Sequence, residues 1–259
     1  MKFALVDNIK TSATKGAKGV CPNCGSELIA KCGDFKVNHW AHKGIRNCDP
    51  WWENETEWHR DWKGNFPIDW QEVILTDETS GEKHIADIRS SFGLVIEFQH
   101  SHIDPIERNK REKFYKKMLW VVDGTRLKRD YPRFLKGKES FRLTNKQGIF
   151  LVDSVDECFP SAWIGSSVPI IFDFKGTETI NDPKDWRNHL YYLYPKSNAR
   201  ESIVAIVSRE SIVRSISTGE LFKPKPEPEK QIPKQTTNVN HIIPRRQSQY
   251  IFERGRYVR

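Results

Sequence analysis

Residues 84–101 read HIADIRSSFGLVIEFQHS, and the alternation in this stretch decides the predicted fold. Apolar and polar residues alternate on both sides of Gly93, which predicts two strands, residues 85–89 and 94–99. Side chains along a strand point alternately to opposite faces of the sheet. One face is expected to carry Ala86, Ile88, Ile96 and Phe98. The other is expected to carry Asp87, Val95, Glu97 and Gln99.

A tight turn joins the two predicted strands. A three-residue loop of Ser91, Phe92 and Gly93 fits, because glycine adopts the left-handed conformation that such loops favour. This loop sets Asp87 directly opposite Glu97, with Cβ atoms about 5 Å apart. Two carboxylates this close repel each other, and such a pair commonly shares a proton or a cation. Oxygen ligands at this spacing suit Mg²⁺ or Mn²⁺, and the alternative is an edge hairpin with both carboxylates in water.

The composition describes a basic chain of 259 residues with a net charge of +8 and a pI near 9.2. This balance favours a polyanionic partner, of which nucleic acid is the first candidate. No apolar run approaches the roughly 20 residues of a membrane span, and no secretory signal is evident, so no membrane association is expected. Five cysteines at uneven spacing do not form a disulfide pattern, which indicates the reducing cytoplasm.

A zinc site is predicted near the N-terminus. Cys21 and Cys24 form a CxxC pair, and His39 and His42 follow as HxxH. Two thiolates and two imidazoles can complete a tetrahedral structural Zn²⁺ site. Buried cysteines beside surface histidines are the alternative. The spacing leaves two further cysteines open as replacements for one of the histidines, Cys32 and Cys48.

A helix is predicted just before the hairpin. Asn54 followed by Glu57 resembles a capping box, which predicts a helix that ends near Lys63. Glu55, His59 and Lys63 recur at four-residue intervals and share one face of that helix. If this face meets the sheet beside the two acids, Glu55 adds a third carboxylate and His59 orients water or phosphate. Whether Glu55 or Glu57 supplies the ligand stays open, and a solvated face is the alternative.

A second helix is predicted after the hairpin. Asp104, Pro105 and Glu107 provide a cap, a proline in the first turn and an acid in the third position. This helix is expected to run to about Lys117. The segments WQEVIL before the hairpin and LWVVD after the helix predict further strands.

These elements divide the chain into four predicted parts. Residues 1–50 form the zinc-binding lobe, and residues 51–125 form an α/β (α+β) core of a mixed sheet flanked by helices. Residues 126–222 form a C-terminal α/β extension, in which Ser208 caps a helix. Residues 223–259 are rich in proline and lysine and end in several arginines, which predicts a disordered linker and a basic tail.

The chain resembles the competence protein CoiA family in five segments that match in order and spacing: CPNC with HWAH, ETEWHRDWK, HIADIRSSFGLVIEFQHS, RNKREKFY and LWVVDG. That family is a branch of the PD-(D/E)XK nuclease superfamily preceded by a zinc-finger-like lobe. The resemblance covers roughly residues 1–125. It implies a restriction-endonuclease-like core with a small zinc-ribbon-like N-terminal lobe.

The resemblance also implies roles for individual residues. Asp87 and Glu97 look like the acidic metal ligands of the superfamily motif, and Glu55 looks like the helix glutamate that often adds a ligand. His59 and Lys63 resemble the histidine and lysine that follow this glutamate in the branch. A basic and aromatic set on the later helix is implied to contact nucleic acid, namely Arg108, Arg111 and Tyr115.

Gln99 departs from the superfamily pattern, because most members carry lysine at this position. An amide can form hydrogen bonds but brings no positive charge to the attacking water or to the developing phosphorane. Glutamine is usual in this branch, and Lys63 could bring a cation in from the helix.

The expected function is that of a Mg²⁺- or Mn²⁺-dependent nuclease. It would hydrolyse phosphodiester bonds in single- or double-stranded DNA during DNA uptake, recombination or defence, alongside recombination or defence proteins. One alternative is a non-catalytic DNA-binding accessory protein of recombination. The other is an RNA nuclease that uses the same site.

Overall fold

A computed structural model describes residues 1–34, 36–44, 48–195 and 202–222, all of which belong to one compact unit. The fold is mixed α and β, as predicted, and it contains two sheets. Every helix in these ranges is too short or too polar to serve as a transmembrane segment. The predicted linker and basic tail, residues 223–259, lie outside the described residues.

Five short antiparallel strands form the N-terminal lobe, in spatial order β2-β1-β3-β4-β5. Their bounds are β1 Phe3–Val6, β2 Ile9–Ser12, β3 Lys18–Val20, β4 Glu27–Lys31 and β5 His39–His42. The core of the lobe centres on Leu28 and Trp40, which pack with Cys21. A core this small gains much from a bound structural metal.

Nine strands form the main sheet, in spatial order β10-β11-β14-β13-β12-β9-β8-β7-β6. Their bounds are β6 Gln71–Thr76, β7 Lys83–Arg89, β8 Val95–Gln99, β9 Met118–Asp123, β10 Arg142–Leu143, β11 Ile149–Val152, β12 Ile170–Asp173, β13 Leu190–Leu193 and β14 Ser202–Val207. Strands β8, β9 and β12 run parallel to one another, and the other neighbouring strands pair antiparallel. The strands of residues 142–207 therefore extend the same sheet that holds the hairpin.

Helices cover both faces of the main sheet. They are α1 Glu57–Lys63, α2 Pro105–Tyr115, α3 Asp130–Gly137, α4 Val155–Cys158 and α5 Arg209–Thr218. Side chains along β9 alternate between two core clusters, which identifies the two faces. Leu119 packs in the cluster that contains Trp62 of α1 and Ile216 of α5. Trp120 packs in the cluster that contains Tyr115 of α2 and Phe134 of α3.

The turn between β7 and β8 has the predicted form. Ser90 N–H donates to Leu94 O at 2.8 Å, which closes a loop of the three intervening residues. Gly93 has φ of 75°, the left-handed conformation that its role in the loop requires. The loop was predictable because its length and its glycine are local features of the sequence.

The register of the hairpin also follows the prediction. Ile88 pairs with Ile96, so one step further along the strands Asp87 stands opposite Glu97. Ile88, Ile96 and Phe98 share one core cluster, as expected. Ala86 belongs to the opposite cluster, so the prediction for this residue was wrong. Regular pairing of the two strands ends at Ile88, and beyond that point simple alternation no longer fixes the face.

The first helix begins two residues later than predicted. Thr56 is its N-cap, and the capping box joins Thr56 to His59 rather than Asn54 to Glu57. Thr56 fills the same role as the predicted asparagine because its hydroxyl accepts a hydrogen bond from the backbone in the same way.

The two later caps match the prediction. Asp104 accepts a hydrogen bond from Ile106 N–H at 2.7 Å, with Pro105 at the first helical position, although α2 ends at Tyr115 rather than near residue 117. Ser208 caps α5.

Candidate active site and zinc site

Asp87 and Glu97 lie between β7 and β8 where regular strand pairing ends. Asp87 N–H donates to Glu97 Oε1 at 3.1 Å, and Phe98 N–H donates to Asp87 Oδ2 at 3.0 Å. Each carboxylate therefore accepts a backbone N–H that a carbonyl would accept in a regular ladder. These bonds fix the position of both acids and do not require the negative charge.

A cavity of about 60 Å³ opens beside the two acids. Such a space holds a cation with a few waters. The polar side chains that line it come from the lobe boundary, α1, the main sheet and α2: Asp49, Glu53, Glu55, His59, Lys63, Glu72, Asp87, Glu97 and Arg111.

Among the described residues, Lys63 is one of two buried cations that line this cavity, and Arg111 is the other. Lys63 Nζ lies 2.8 Å from Asp87 Oδ1 and 3.5 Å from both Glu55 Oε1 and Glu72 Oε1. Burial alone would lower the pKa of Lys63, but these three carboxylates outweigh it and raise the pKa. The ammonium therefore stays charged, and its charge is shared among three acids.

Glu97 is 5% exposed. Burial raises its pKa to about 8, the nearby charge of Asp87 adds to the rise, and Arg111 opposes it. Arg111 Nη1 lies 3.5 Å from Glu97 Oε2. Glu97, buried beside the half-buried Asp87, therefore holds its proton more strongly than a free carboxyl does, and a bound cation would favour its ionised form.

Gln99 has a buried oxygen without a hydrogen-bond donor among the described residues. Its Nε2 donates to Glu53 Oε2 at 2.5 Å and to Ser101 O at 3.3 Å. Both partners are acceptors, which fixes the orientation of the amide. The other amide atom is therefore the oxygen, Oε1. A buried acceptor without a protein donor is usually hydrogen-bonded to a water or bound to an ion.

Glu53 is a site residue that the sequence did not reveal. Its Oε1 accepts from His100 N–H at 3.0 Å and from Ser101 N–H at 2.6 Å, so the carboxylate holds the chain as it leaves β8. Burial raises the pKa of Glu53, and Asp87 adds to the rise. Glu53 lies in a segment without helical or strand periodicity, so no sequence pattern marks it.

His59 is held neutral inside the site. Thr56 N–H donates to His59 Nδ1 at 3.2 Å, so the ring proton resides on Nε2, which lies 3.8 Å from Glu53 Oε1. Burial lowers the pKa of His59 to about 4. The ring therefore supports Glu53 from the helix and is not free to accept a proton through Nδ1.

Glu55 lines the cavity, whereas Glu57 lies outside its lining residues. Glu55 Oε1 lies 2.8 Å from Arg60 Nε and 3.5 Å from Lys63 Nζ. Burial alone would raise the pKa of Glu55, but Lys63 and Arg60 outweigh it and lower the pKa. Lys63 thus links Glu55 to Asp87, and the predicted third carboxylate is already paired with two cations.

The carboxylates do not form a closed metal cage in the part of the chain that the structure describes. The one group there that brings together three or more His, Cys, Asp or Glu ligand atoms, within 4.8 Å of one another, is in the N-terminal lobe. Asp87 and Glu97 nevertheless fit a hydrated Mg²⁺ or Mn²⁺, because such ions take one or two carboxylates and keep several waters. Gln99, two residues after Glu97 on β8, carries a further buried oxygen acceptor, although it is not among the residues that line this cavity.

Two residues that the resemblance assigns to nucleic-acid contact are buried. Arg108 is 5% exposed, donates to Ala162 O at 2.6 Å and pairs with Glu112 at 3.1 Å. Tyr115 is 8% exposed and packs edge-on against Trp51. Both belong to the interior, because their packing partners come from other parts of the fold.

Arg111 is also buried, but it faces the site. Its Nη2 donates to Trp51 O at 2.8 Å, and the same guanidinium pairs with Glu107 and lies near Glu97. Arg111 therefore balances charge at the acids and lines their cavity, and its direct contact with nucleic acid stays a prediction.

The zinc site contains Cys21, Cys24, His42 and Cys48, whose ligand atoms lie within 4.8 Å of one another. This Cys₃His group is compatible with structural zinc. His39 is not part of it, and its Nδ1 lies instead 2.9 Å from Val37 O. His39 and His42 are three residues apart on β5, so their side chains point to opposite faces and only one can reach the metal. Cys48, one of the two replacements that the spacing left open, takes the place of His39, and Cys32 does not join the group.

The lobe is hydrogen-bonded directly to the acidic site. Glu72 accepts from Lys2 N–H at 2.6 Å and from Phe3 N–H at 3.0 Å. Asp49, next to the ligand Cys48, accepts from Ile85 N–H at 2.8 Å, two residues before Asp87. Loss of the zinc site is therefore expected to disturb the hairpin.

The structure defines a mixed α and β protein with a cysteine-rich N-terminal lobe and an acidic site on a hairpin. Residues 6–50 match the family described as competence protein CoiA, N-terminal domain. The chain is also 27% identical over 144 residues to competence protein CoiA of Bacillus subtilis (strain 168), an alignment that covers 51% of this chain and 38% of that protein. No solved structure matches the chain. The two matches support a CoiA-like family, and the chain spans less than half the length of this relative.

Proposed function

We propose that this chain is a nuclease that hydrolyses phosphodiester bonds in DNA with Mg²⁺ or Mn²⁺, built on a PD-(D/E)XK-like core. The observation that carries the proposal is the placement of Asp87 opposite Glu97 beside a cavity of about 60 Å³, with Gln99 two residues further along β8. Holding two acids together in a buried site is costly unless a cation binds there.

Asp87 and Glu97 are the residues that would hold the metal. When bound, Mg²⁺ or Mn²⁺ would polarise a phosphoryl oxygen and lower the pKa of a coordinated water. Gln99 Oε1 would accept a hydrogen bond from a bound water, because its own amide nitrogen already donates to Glu53. Lys63 and Arg111 keep the two acids in place and limit their mutual repulsion.

The net charge of +8 supports a polyanionic substrate. The printed name of the relative, competence protein CoiA, supports a role in DNA uptake and the recombination that follows it. The placement of the Cys₃His lobe against the hairpin supports a second role for that lobe as part of the surface that holds the strand.

A second candidate is a DNA-binding accessory protein of recombination without catalytic activity. The specific observation in its favour is the lack of an uncommitted cation beside the two acids in the described ranges. Gln99 replaces the usual lysine, and Lys63 is committed to three carboxylates. Both candidates require nucleic-acid binding, and they differ in whether a phosphodiester bond is cut.

The test is a cleavage panel with the zinc-loaded full-length chain. Single- and double-stranded DNA and RNA are incubated with Mg²⁺ or Mn²⁺, beside the variants Asp87→Asn and Glu97→Gln. These substitutions keep the oxygen that accepts the backbone N–H, so the hairpin is expected to remain folded. Glu178→Gln is the matched control, because Glu178 is exposed and pairs only with Arg187 among the described residues.

The proposal expects metal-dependent cleavage of DNA by the wild type and by Glu178→Gln, and a loss of at least a hundred-fold in the two hairpin variants. Cleavage of RNA alone would show that the protein is an RNA nuclease that uses the same site. DNA binding without cleavage under either metal would favour the accessory protein. Undiminished cleavage by both hairpin variants would overturn the assignment of the site.

A further inference from the structure

A second cleft lies at the carboxyl ends of the three parallel strands of the main sheet. It has a volume of about 180 Å³ and is lined by residues that follow β8, β9 and β12, including His100, Ser101, Arg126, Arg129 and Phe174. We call it the arginine cleft. The carboxyl edge of parallel strands is where open α/β sheets generally bind ligands. Gln99 ends β8 and immediately precedes His100, so the cleft adjoins the acidic site.

The floor of the arginine cleft is shaped by a close backbone approach. Gly124 N–H donates to Asp173 O at 2.8 Å, where the chain leaves β9. A Cβ at Gly124 would lie 2.4 Å from a ring carbon of Phe174, so only glycine fits there. The loop that carries Arg126 and Arg129 is thereby held against the end of β12.

The acids of the cleft are already paired. Asp123 lies 2.8 Å from His100 Nδ1 and accepts from Thr125 Oγ1 at 2.6 Å. Asp130 pairs with Arg133. Both carboxylates are buried, 6% and 5% exposed.

The two remaining cations of the cleft, Arg126 and Arg129, are exposed, and their guanidinium groups have no ion-pair or hydrogen-bond partner among the residues described. The cleft therefore has a surplus of two guanidinium groups. Guanidinium groups bind phosphate through paired N–H donors.

The arginine cleft is continuous with the site of the proposed reaction. A larger groove of about 850 Å³ shares His100 and Ser101 with the cleft, and it shares Glu53 and Glu55 with the acidic cavity. A polymer that crosses the acidic cavity would reach the cleft along this groove. A ligand with phosphates at regular intervals fits this arrangement better than a small anion does.

We propose that Arg126 and Arg129 bind a backbone phosphate of the same nucleic-acid strand whose scissile bond lies at Asp87 and Glu97. This inference rests on the proposed function for the position of the scissile bond. The contact itself is a binding event and can be measured whether or not the strand is cut. The phosphate is either an internal phosphodiester or a terminal 5′ phosphate, and both bind guanidinium in the same way.

The test measures the binding of labelled 12-nucleotide single-stranded DNA to the full-length chain in Ca²⁺, where cleavage is expected to be suppressed. The variant is Arg126→Gln with Arg129→Gln. The matched control is Lys146→Gln with Arg214→Gln, which removes two exposed positive charges from the β10–β11 turn and from α5. Each oligonucleotide is used with and without a 5′ phosphate, and with single methylphosphonate linkages along its length.

We expect the cleft variant to bind at least ten-fold more weakly at low salt. Its plot of log affinity against log salt should be shallower by about 0.7, because roughly 0.7 counterions are released per phosphate contact on a single strand and both arginines bind the same phosphate. The control should change affinity less than three-fold. Methylphosphonate substitution at one position, or removal of the 5′ phosphate, should weaken binding to the wild type and have no further effect on the cleft variant.

Equal affinity and equal salt dependence of the cleft variant and the wild type would overturn the inference. Equal losses in the cleft variant and in the control would also overturn it, because they indicate only a general effect of charge. Failure of the proposed function has a different signature, in which DNA binds through the arginines but is not cut in Mg²⁺ or Mn²⁺.

Discussion

The ammonium of Lys63 lies 2.8 Å from Asp87 Oδ1, inside the protein and beside the cavity that would hold a metal. The same ammonium also pairs with Glu55 and Glu72, so Lys63 neutralises part of the negative charge of an acidic cluster that shares one cavity. A divalent cation bound at Asp87 would therefore neutralise some of the same carboxylate charge that the Lys63 ammonium neutralises.

Removal of this ammonium should destabilise the protein. Lys63→Met is expected to lower the free energy of unfolding by about 3–5 kcal/mol, because it leaves buried carboxylates without their partner. Urea unfolding measures the loss, and Mn²⁺ should recover part of it. The control is Lys146→Met at an exposed turn, which is expected to change stability by less than about 0.5 kcal/mol. A Lys63→Met protein as stable as the wild type would show that the acids are not charged together.

The hydrogen bond between Asp87 N–H and Glu97 predicts different stabilities for two substitutions of Glu97. Glu97→Gln keeps an oxygen for Asp87 N–H and should leave stability close to that of the wild type. Glu97→Ala removes the acceptor and should cost about 1–3 kcal/mol, because a buried N–H is left unpaired. Chemical denaturation of the two variants in metal-free buffer gives the comparison. Equal stabilities would mean that this hydrogen bond is not part of the folded hairpin.

The composition of the zinc site has a direct chemical test. Cys48→Ser should lose bound zinc and lower the melting temperature, because it removes a ligand of the Cys₃His group. His39→Ala should retain one zinc per chain, because His39 lies outside that group. Zinc content by atomic absorption, measured on both purified variants, decides between them. The opposite pattern would restore His39 as the ligand.

His59 predicts a specific loss of stability in acid. Burial lowers its pKa to about 4 from an ordinary value of 6.5, so between these pH values the unfolded chain binds a proton that the folded chain does not. Stability should therefore fall as the pH falls from 6.5 to 4, by about 3 kcal/mol from this residue. His59→Asn keeps an acceptor for Thr56 N–H and cannot titrate. Its unfolding free energy should decline less than that of the wild type over this pH range. The same decline in both proteins would show that His59 does not cause the loss of stability in acid.

The hairpin could be predicted from the sequence because its determinants are local. The loop length, Gly93 and the alternation of apolar residues fix the register that sets Asp87 opposite Glu97. The same reasoning failed for Ala86, because the carboxylates separate the strands and end the regular pairing.

Residues that depend on distant contacts were not predictable from spacing. Glu53 has no periodic pattern around it, and its role appears only when the chain leaving β8 folds against it. The spacing left Cys32 and Cys48 open as ligands, and only the structure of β5 shows that His39 lies outside the zinc site and that Cys48 belongs to it. The resemblance implied nucleic-acid contact for Arg108 and Tyr115, but it could not show that Arg108 is bonded to Ala162 O or that Tyr115 packs against Trp51.

The central claim is that Asp87 and Glu97 hold a divalent cation, and electron paramagnetic resonance of Mn²⁺ tests it most directly. The free-ion signal is followed as Mn²⁺ is titrated into the zinc-loaded wild type, Asp87→Asn, Glu97→Gln and the control Glu178→Gln. We predict one Mn²⁺ bound per chain in the wild type and the control, and at least a ten-fold weaker affinity in both hairpin variants. The same affinity in all four proteins would contradict the account, because the cation would then lie elsewhere.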